Sequence, residues 1–354
     1  MSFEVILPFL EPIEKYILDP EVSEVMVNAS GRVFIETLGR IHEVVSVRLD
    51  KKHLEIAVKN IARRLGDEIS EEKPLLDSRL PDGSRVAAVF APCSVGGTTL
   101  VIRKFHSRWF SLEELRTGGS VTQEVFELLG AAISSRKNLL ISGGTGTGKT
   151  TLLNALASLI SDEERIVLIE DTAEINLDKP DVVRLEARSE RPELPAVTIR
   201  DLVKMSLRLR PDRILVGEVR GGEAFDLLQA LNTGHSGTLS TIHANSAVQA
   251  LAKFANYTLQ AGVDMPYAAI RGTIAESVNL IVQVERRQGK RLVTELLSIE
   301  HFDHAKDKFE LRSVYSLDEP RSSELRVQSK PPTRASIVAS RRSERRPNLA
   351  ANEE

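Results

Sequence analysis

The sequence predicts an α/β domain built on a parallel sheet, preceded by a smaller α+β domain and followed by a disordered tail. Three observations carry that reading. The stretch Gly143-Gly144-Thr145-Gly146-Thr147-Gly148-Lys149-Thr150 fits G-x-x-x-x-G-K-[ST] at every position, between a short apolar run and a helical pattern. From Val121 onward, short apolar runs alternate with helical periodicity, as in a parallel sheet covered on both faces. Before residue 105 the pattern is instead one of strands punctuated by turns at Asn28-Ala29-Ser30-Gly31 and Leu38-Gly39.

The elements follow in order. Residues 1–105 form the α+β domain, with a short helix at 8–18 and strands near 25–27, 32–36, 41–45, 85–89 and 99–103. Its longer helix spans 51–65, where Leu54, Ile56, Ala57, Ile61, Ala62 and Leu65 fall at helical spacing. Residues 106–120 read as a linker ending in Thr117-Gly118-Gly119-Ser120, and the glycine pair reads as its hinge. Residues 121–316 form the α/β domain. It has strands at 138–142, 166–169, 213–217 and 238–242, and helices at 122–135, 149–160, 198–209, 222–232, 246–261 and 266–276. A hairpin at 278–300 turns at Gln288-Gly289. Residues 317–354, rich in Ser, Arg and Pro, lack the apolar surface needed to offset ordering and read as disordered.

Composition narrows the function. A chain of 354 residues with 42% apolar content supports two globular cores. A net charge of −3 and 5% aromatics give no basic stripe with interleaved rings, so no direct nucleic acid binding is expected. A single cysteine, Cys93, fits a reducing compartment. The first residues lack a basic signal-peptide region, and no apolar run reaches about 18 residues. A cytoplasmic protein is expected, peripheral at the inner membrane through partners, with no transmembrane segment.

The chemistry gathers around the glycine-rich loop. Glycines let successive N–H groups wrap an anion, and the helix that follows adds its positive end. Lys149 can reach terminal phosphates, the Thr150 hydroxyl can ligate Mg²⁺, and Thr151 continues the first helical turn; a nucleoside triphosphate is the expected ligand. Glu170, Asp171 and Glu174 follow an apolar strand at 166–169, where open sheets place their sites. Glu170 and Asp171 suit a metal shell, and Glu174 suits catalysis. Glu218 ends the apolar strand 213–217 and can deprotonate an attacking water; glycine stands where an Asp is usual. His235 and His243 bracket a hydroxyl-rich run, too far apart for a tight metal pair and better suited to phosphate sensing. Arginines for the transition-state charge include Arg79, Arg85, Arg103, Arg208, Arg210 and Arg220, with Arg103 favoured by its place before the linker.

This ordered set resembles the secretion (traffic) ATPase superfamily of type II and type IV secretion systems. It comprises the loop, Ile169-Glu170-Asp171-Thr172, Val216-Gly217-Glu218-Val219-Arg220-Gly221 and Gly234-His235-Ser236-Gly237 through Thr241-Ile242-His243-Ala244-Asn245-Ser246. Ser23-Glu24-Val25-Met26-Val27-Asn28 and Asp77-Ser78-Arg79-Leu80-Pro81-Asp82-Gly83-Ser84-Arg85 look like the conjugative-transfer and Flp-pilus branch. The resemblance implies a RecA-like ATPase domain, a homohexamer, ATP and Mg²⁺, and inner-membrane secretion or pilus-assembly partners. It implies catalysis by Glu218, an acidic box at Glu170, Asp171 and Glu174, and a histidine box at His235 and His243. It also implies arginines from the first domain on the phosphates. Cys93 alone cannot supply the four-cysteine zinc module of the type II and pilus-retraction branches. Two other classes share the loop: a nucleic-acid translocase, which DNA would stimulate, and a small-molecule kinase, which would need a lid with paired arginines.

Overall fold

A computed structural model of the chain describes residues 3–37, 40–105, 110–188, 190, 194–318 and 324–326. It divides into two compact units. One is Met1–Ser111 with Thr172–Asp178; the other is Leu112–Asp171 with Lys179–Glu354.

The first unit is a six-stranded antiparallel sheet backed by one long helix. Short 3₁₀ turns between Phe3 and Ile13 lead into α1 (Glu14–Leu18). The strands are β1 (Val22–Val27), β2 (Arg32–Thr37), β3 (Arg40–Arg48), β4 (Leu75–Arg79), β5 (Arg85–Val89) and β6 (Thr99–Arg103), in the order β3-β2-β1-β6-β5-β4. Alternation decides the faces: Val86, Ala88, Leu100 and Ile102 are buried, while Arg85 and Arg103 lie on the other side. Helix α2 (Lys51–Arg64) starts at Asp50, whose carboxylate accepts from the N–H groups of Lys52 and His53. Its Leu54, Val58 and Ile61 join the core under the sheet. Ser70–Leu80 had no predicted strand, yet Leu76 and Ser78 alternate inward and β4 pairs with β5.

The second unit is a nine-stranded mixed sheet in the order β15-β14-β13-β12-β7-β11-β10-β8-β9. Its parallel part holds β7 (Leu139–Gly143), β8 (Ile166–Glu170), β9 (Val182–Glu186), β10 (Arg213–Val219), β11 (Leu239–His243) and β12 (Leu280–Arg287). The expected parallel sheet is therefore present, and the expected hairpin extends it. β12 pairs parallel to β7, and β13 (Lys290–Asp303), β14 (Lys308–Ser316) and β15 (Glu324–Arg326) continue antiparallel. β7 is buried at every residue because helices cover both faces. On one side Leu140, Ile281 and Leu297 meet α6 (Ile199–Ser206), α7 (Glu223–Asn232), α8 (Ala247–Gln260) and α9 (Tyr267–Ser277). On the other, α5 (Lys149–Ala157) packs on β7 and β11, with α3 (Leu112–Thr117) and α4 (Gln123–Ser134) against it.

One boundary differs from the sequence reading. The expected linker 106–120 contains α3, and the second unit begins at Leu112. Gly118 and Gly119 terminate that helix: Gly118 N–H reaches the Glu114 carbonyl at 2.9 Å, and Gly119 has φ +74°. The expected disordered tail, 317–354, lies outside the described residues except for its first two and β15, which pairs with β14 through its backbone.

Candidate nucleotide site

The C-terminal edge of the parallel sheet collects the residues singled out from sequence. Register places Val284, Gly143 and His243 on one rung across β12, β7 and β11. The loop leaves β7 at Gly143. A Cβ there would lie 2.5 Å from both Thr147 Oγ1 and the Val284 carbonyl oxygen, so the turn closes only on glycine. Gly146 and Gly148 take φ of +69° and +96°, and Gly148 caps α5. Lys149 Nζ and Thr147 Oγ1 donate to the Gly144 carbonyl at 3.0 and 2.9 Å, which holds the ammonium across the loop. Thr150 and Thr151 stand in the first turn of α5, partly exposed. A glycine-only turn, a helix N-terminus and a hydroxyl beside a lysine together fit a Mg-nucleotide.

β10 delivers Glu218 by a bulge. Val216 pairs with Ser240 but Val219 pairs with Ile242, so one extra residue is inserted where Gly217-Glu218 sit. Such a bulge re-aims a side chain. Thr241 Oγ1 fastens it by donating to the Gly217 carbonyl at 2.6 Å. The glycine in place of the usual Asp has a local reason. A Cβ at 217 would meet Glu170 Cγ at 3.2 Å, so the buried Glu170 side chain takes that space. Arg220 donates to Glu218 Oε2 through Nε and Nη2 at 3.1 and 2.8 Å, and to Asp171 Oδ2 through Nη1 at 3.1 Å. It thus ties the two carboxylates together. Glu223 caps the turn below by accepting from the Arg220 and Gly221 N–H groups.

The remaining residues divide. His243 ends β11 beside Gly143, with its carbonyl accepting from Lys253 Nζ at 2.7 Å. His235 is a correction. It precedes β11 and bonds through Nδ1 to the Ala230 carbonyl at 3.1 Å. Leu239 pairs with Leu139 at the start of β7, so at ~3.3 Å per residue His235 lies a strand-length from the loop. Within one chain it cannot share a phosphate with Lys149. Arg208 and Arg210 likewise stand before β10, at the opposite edge from the loop.

Glu174 belongs to Thr172–Asp178, which groups with the first unit, whereas Glu170 and Asp171 belong to the second. In that first unit Arg79, Arg85 and Arg103 occupy one rung, since Arg79 pairs with Arg85 and Arg85 with Arg103. All three therefore share the face away from the core. Asp77 forks onto Arg85, Nε to Oδ1 at 2.7 Å, which holds its carboxyl below the usual range. Glu24 pairs with Arg103 at 3.3 Å.

Sequence reasoning missed Arg291. Its Nε donates to the Gly146 carbonyl at 3.2 Å from β13, far along the chain. No motif marks it.

Comparison with known proteins defines the class. Residues 9–318 match the family described as type II/IV secretion system protein, and the chain belongs to that family. Within it the chain falls in the conjugative-transfer branch of the secretion ATPases. It is 38% identical over 288 residues to the conjugal transfer protein TrbB of Rhizobium radiobacter, covering 80% of this chain and 85% of that one. It is 33% identical over 331 residues to the type IV secretion system protein VirB11 of Bartonella quintana, covering 82% and 92%. The fold is also similar to that of the ATPase DotB of Legionella pneumophila, with a TM-score of 0.58 at 22% identity, covering 82% and 79%. Among the described residues no helix is long and apolar enough to cross a membrane.

Proposed function

We propose that this secretion ATPase hydrolyses Mg-ATP at the Gly143–Thr150 loop, and that it works as a RecA-like motor in a homohexamer. Its partners would be inner-membrane components of a type IV secretion, conjugation or pilus-assembly apparatus, with the protein peripheral on the cytoplasmic side. One observation carries the reading: the bulged Glu218 lies on the same sheet edge as the glycine-only loop.

The roles follow from chemistry. Loop N–H groups and Lys149 bind the β- and γ-phosphates. Thr150 would ligate Mg²⁺, with Glu170 and Asp171 in its outer shell, and the ion would neutralise phosphate charge. Glu218 takes a proton from water as its oxygen bonds the γ-phosphorus and the bond to ADP breaks. His243, on the rung of Gly143, senses the leaving phosphate, and Glu174 assists from the acidic box. The arginine rung, Arg103 above all, supplies guanidinium charge to the transferring phosphoryl group. His235 and Arg220 have no direct nucleotide role in this reading.

Phosphate release by the full chain, followed against protein concentration and native mass, tests it. Turnover should rise as six copies assemble, fall in Arg103→Ala without loss of melting temperature, and ignore added DNA. Full turnover from a monomer would remove the ring, and strong stimulation by DNA would favour a nucleic-acid translocase.

A further inference from the structure

We infer that Arg291 is a positioning residue for the phosphate loop, holding the Gly146–Thr147 peptide so that its N–H is presented to bound phosphate. The inference rests on the nucleotide-binding reading above. Arg291 Nε donates to the Gly146 carbonyl at 3.2 Å. The carbonyl of residue 146 and the N–H of residue 147 belong to one planar trans unit and point in opposite directions. Fixing the carbonyl toward Arg291 therefore turns the Thr147 N–H away from it. Glycine at 146, with φ +69°, leaves this peptide little intrinsic reason to keep one orientation, so an external tether has an effect.

Packing fixes the arginine as well as its hydrogen bond. A Cβ at Gly148 would come within 3.2 Å of Arg291 Cδ, so the methylenes lie against the glycine that caps α5. The hairpin is built to reach there. Val284 is the last β12 residue paired with β7, opposite Gly143, and residues 285–291 run on past it. Arg286 pairs with Arg291 across that extension, which puts two cations on the rung next to the loop. Sulfur or hydrocarbon in place of Arg291 would keep the packing and lose the donor.

The test uses the full-length protein, fluorescent ADP and Mg-ATP. In Arg291→Ala and Arg291→Met, ADP affinity should fall and KM for ATP should rise roughly tenfold, the scale of one charged hydrogen bond. kcat should stay within about twofold, because the arginine does not touch the reacting atoms. The nucleotide-free melting temperature should stay at the parent value in Arg291→Met, and Arg291→Lys should recover much of the affinity. A folded Arg291→Met with parent ADP affinity overturns the proposal, as does a loss of affinity that follows a loss of melting temperature. A parent chain that binds no nucleotide would instead overturn the reading of the loop itself, so the two failures are distinguishable.

Discussion

At the start of β7, Asn138 spends every polar atom on its own fold; at the end of the same strand, Lys149 spans an exposed loop. Asn138 Nδ2 donates to the Ser277 carbonyl at 2.7 Å, and Oδ1 accepts from the Thr238 N–H at 3.0 Å. The contrast repeats in the arginines at the two ends of β10, Arg213 in its first position and Arg220 just past its last. Arg213, 2% exposed, forks onto Glu164 at 2.7 and 3.0 Å and donates to the Ile133 carbonyl at 3.0 Å. Gly237 packs on that guanidinium so closely that a Cβ would lie 2.1 Å from Nη1. Arg220, 60% exposed, instead bridges Glu218 and Asp171 at the sheet's other edge. The same residue types are therefore buried in the fold at one edge and lie beside the candidate site at the other. Their types alone do not distinguish the two uses; burial and partner geometry do.

That contrast predicts which changes strike function and which strike stability. Lys149→Ala should cost the most activity, on the order of 10³-fold in kcat/KM, since in the proposed mechanism its ammonium contacts phosphate in both ground and transition states. Its melting temperature should match the parent, and equal activity would sever the loop from catalysis. Arg213→Ala should act oppositely, destabilising by about 3 kcal/mol, because it empties a buried guanidinium site and leaves Glu164 with Arg136 as its remaining ion-pair partner among the described residues. Denaturant unfolding checks it.

Acid unfolding sharpens the point. The hydrogen bond from Arg213, ahead of charge attraction, lowers the Glu164 pKa from its usual 4.5. A depressed folded pKa means that this stabilisation is fully present above about pH 4.5 and is lost as pH falls through the folded value. Arg213→Ala should flatten that acid limb. An unchanged limb would place the linkage on another carboxylate. Asn138→Ala should cost less, about 1–3 kcal/mol, by leaving the Thr238 N–H and Ser277 carbonyl unpaired. His235→Ala should change ATP affinity least of all, and a large loss would require His235 to reach phosphate from a neighbouring copy.

Much of this was legible in the sequence, and the exceptions share a cause. The loop, β7, β8 and β10 could be read because buried parallel strands are short and mainly apolar, and β11 could be read from its place between helical patterns despite Ser240 and Thr241. β9 and β14 were missed because edge and antiparallel strands carry polar residues on one face, as Arg184 and Arg312 show. α3 was read as linker because six residues give too little periodicity, and Leu112 is its only buried side chain. At the site, the carboxylates could be placed at strand ends, but the bulge that aims Glu218 depends on pairing between strands. The contact of Arg291 with Gly146 joins a hairpin strand to a loop that is near it only in space. His235 was misplaced for the complementary reason: sequence shows its distance from His243, whereas the parallel register of β11 puts them at opposite edges.

The most direct measurement is ATP affinity beside ATP turnover in Glu218→Gln. On the proposed mechanism the bulge presents Glu218 to water, while the loop holds the phosphates through other groups. Affinity should therefore stay at the parent value and turnover should fall by ~10²-fold or more. Parent turnover in that variant, or a matching loss of affinity, would contradict the assignment of chemistry to this edge of the sheet.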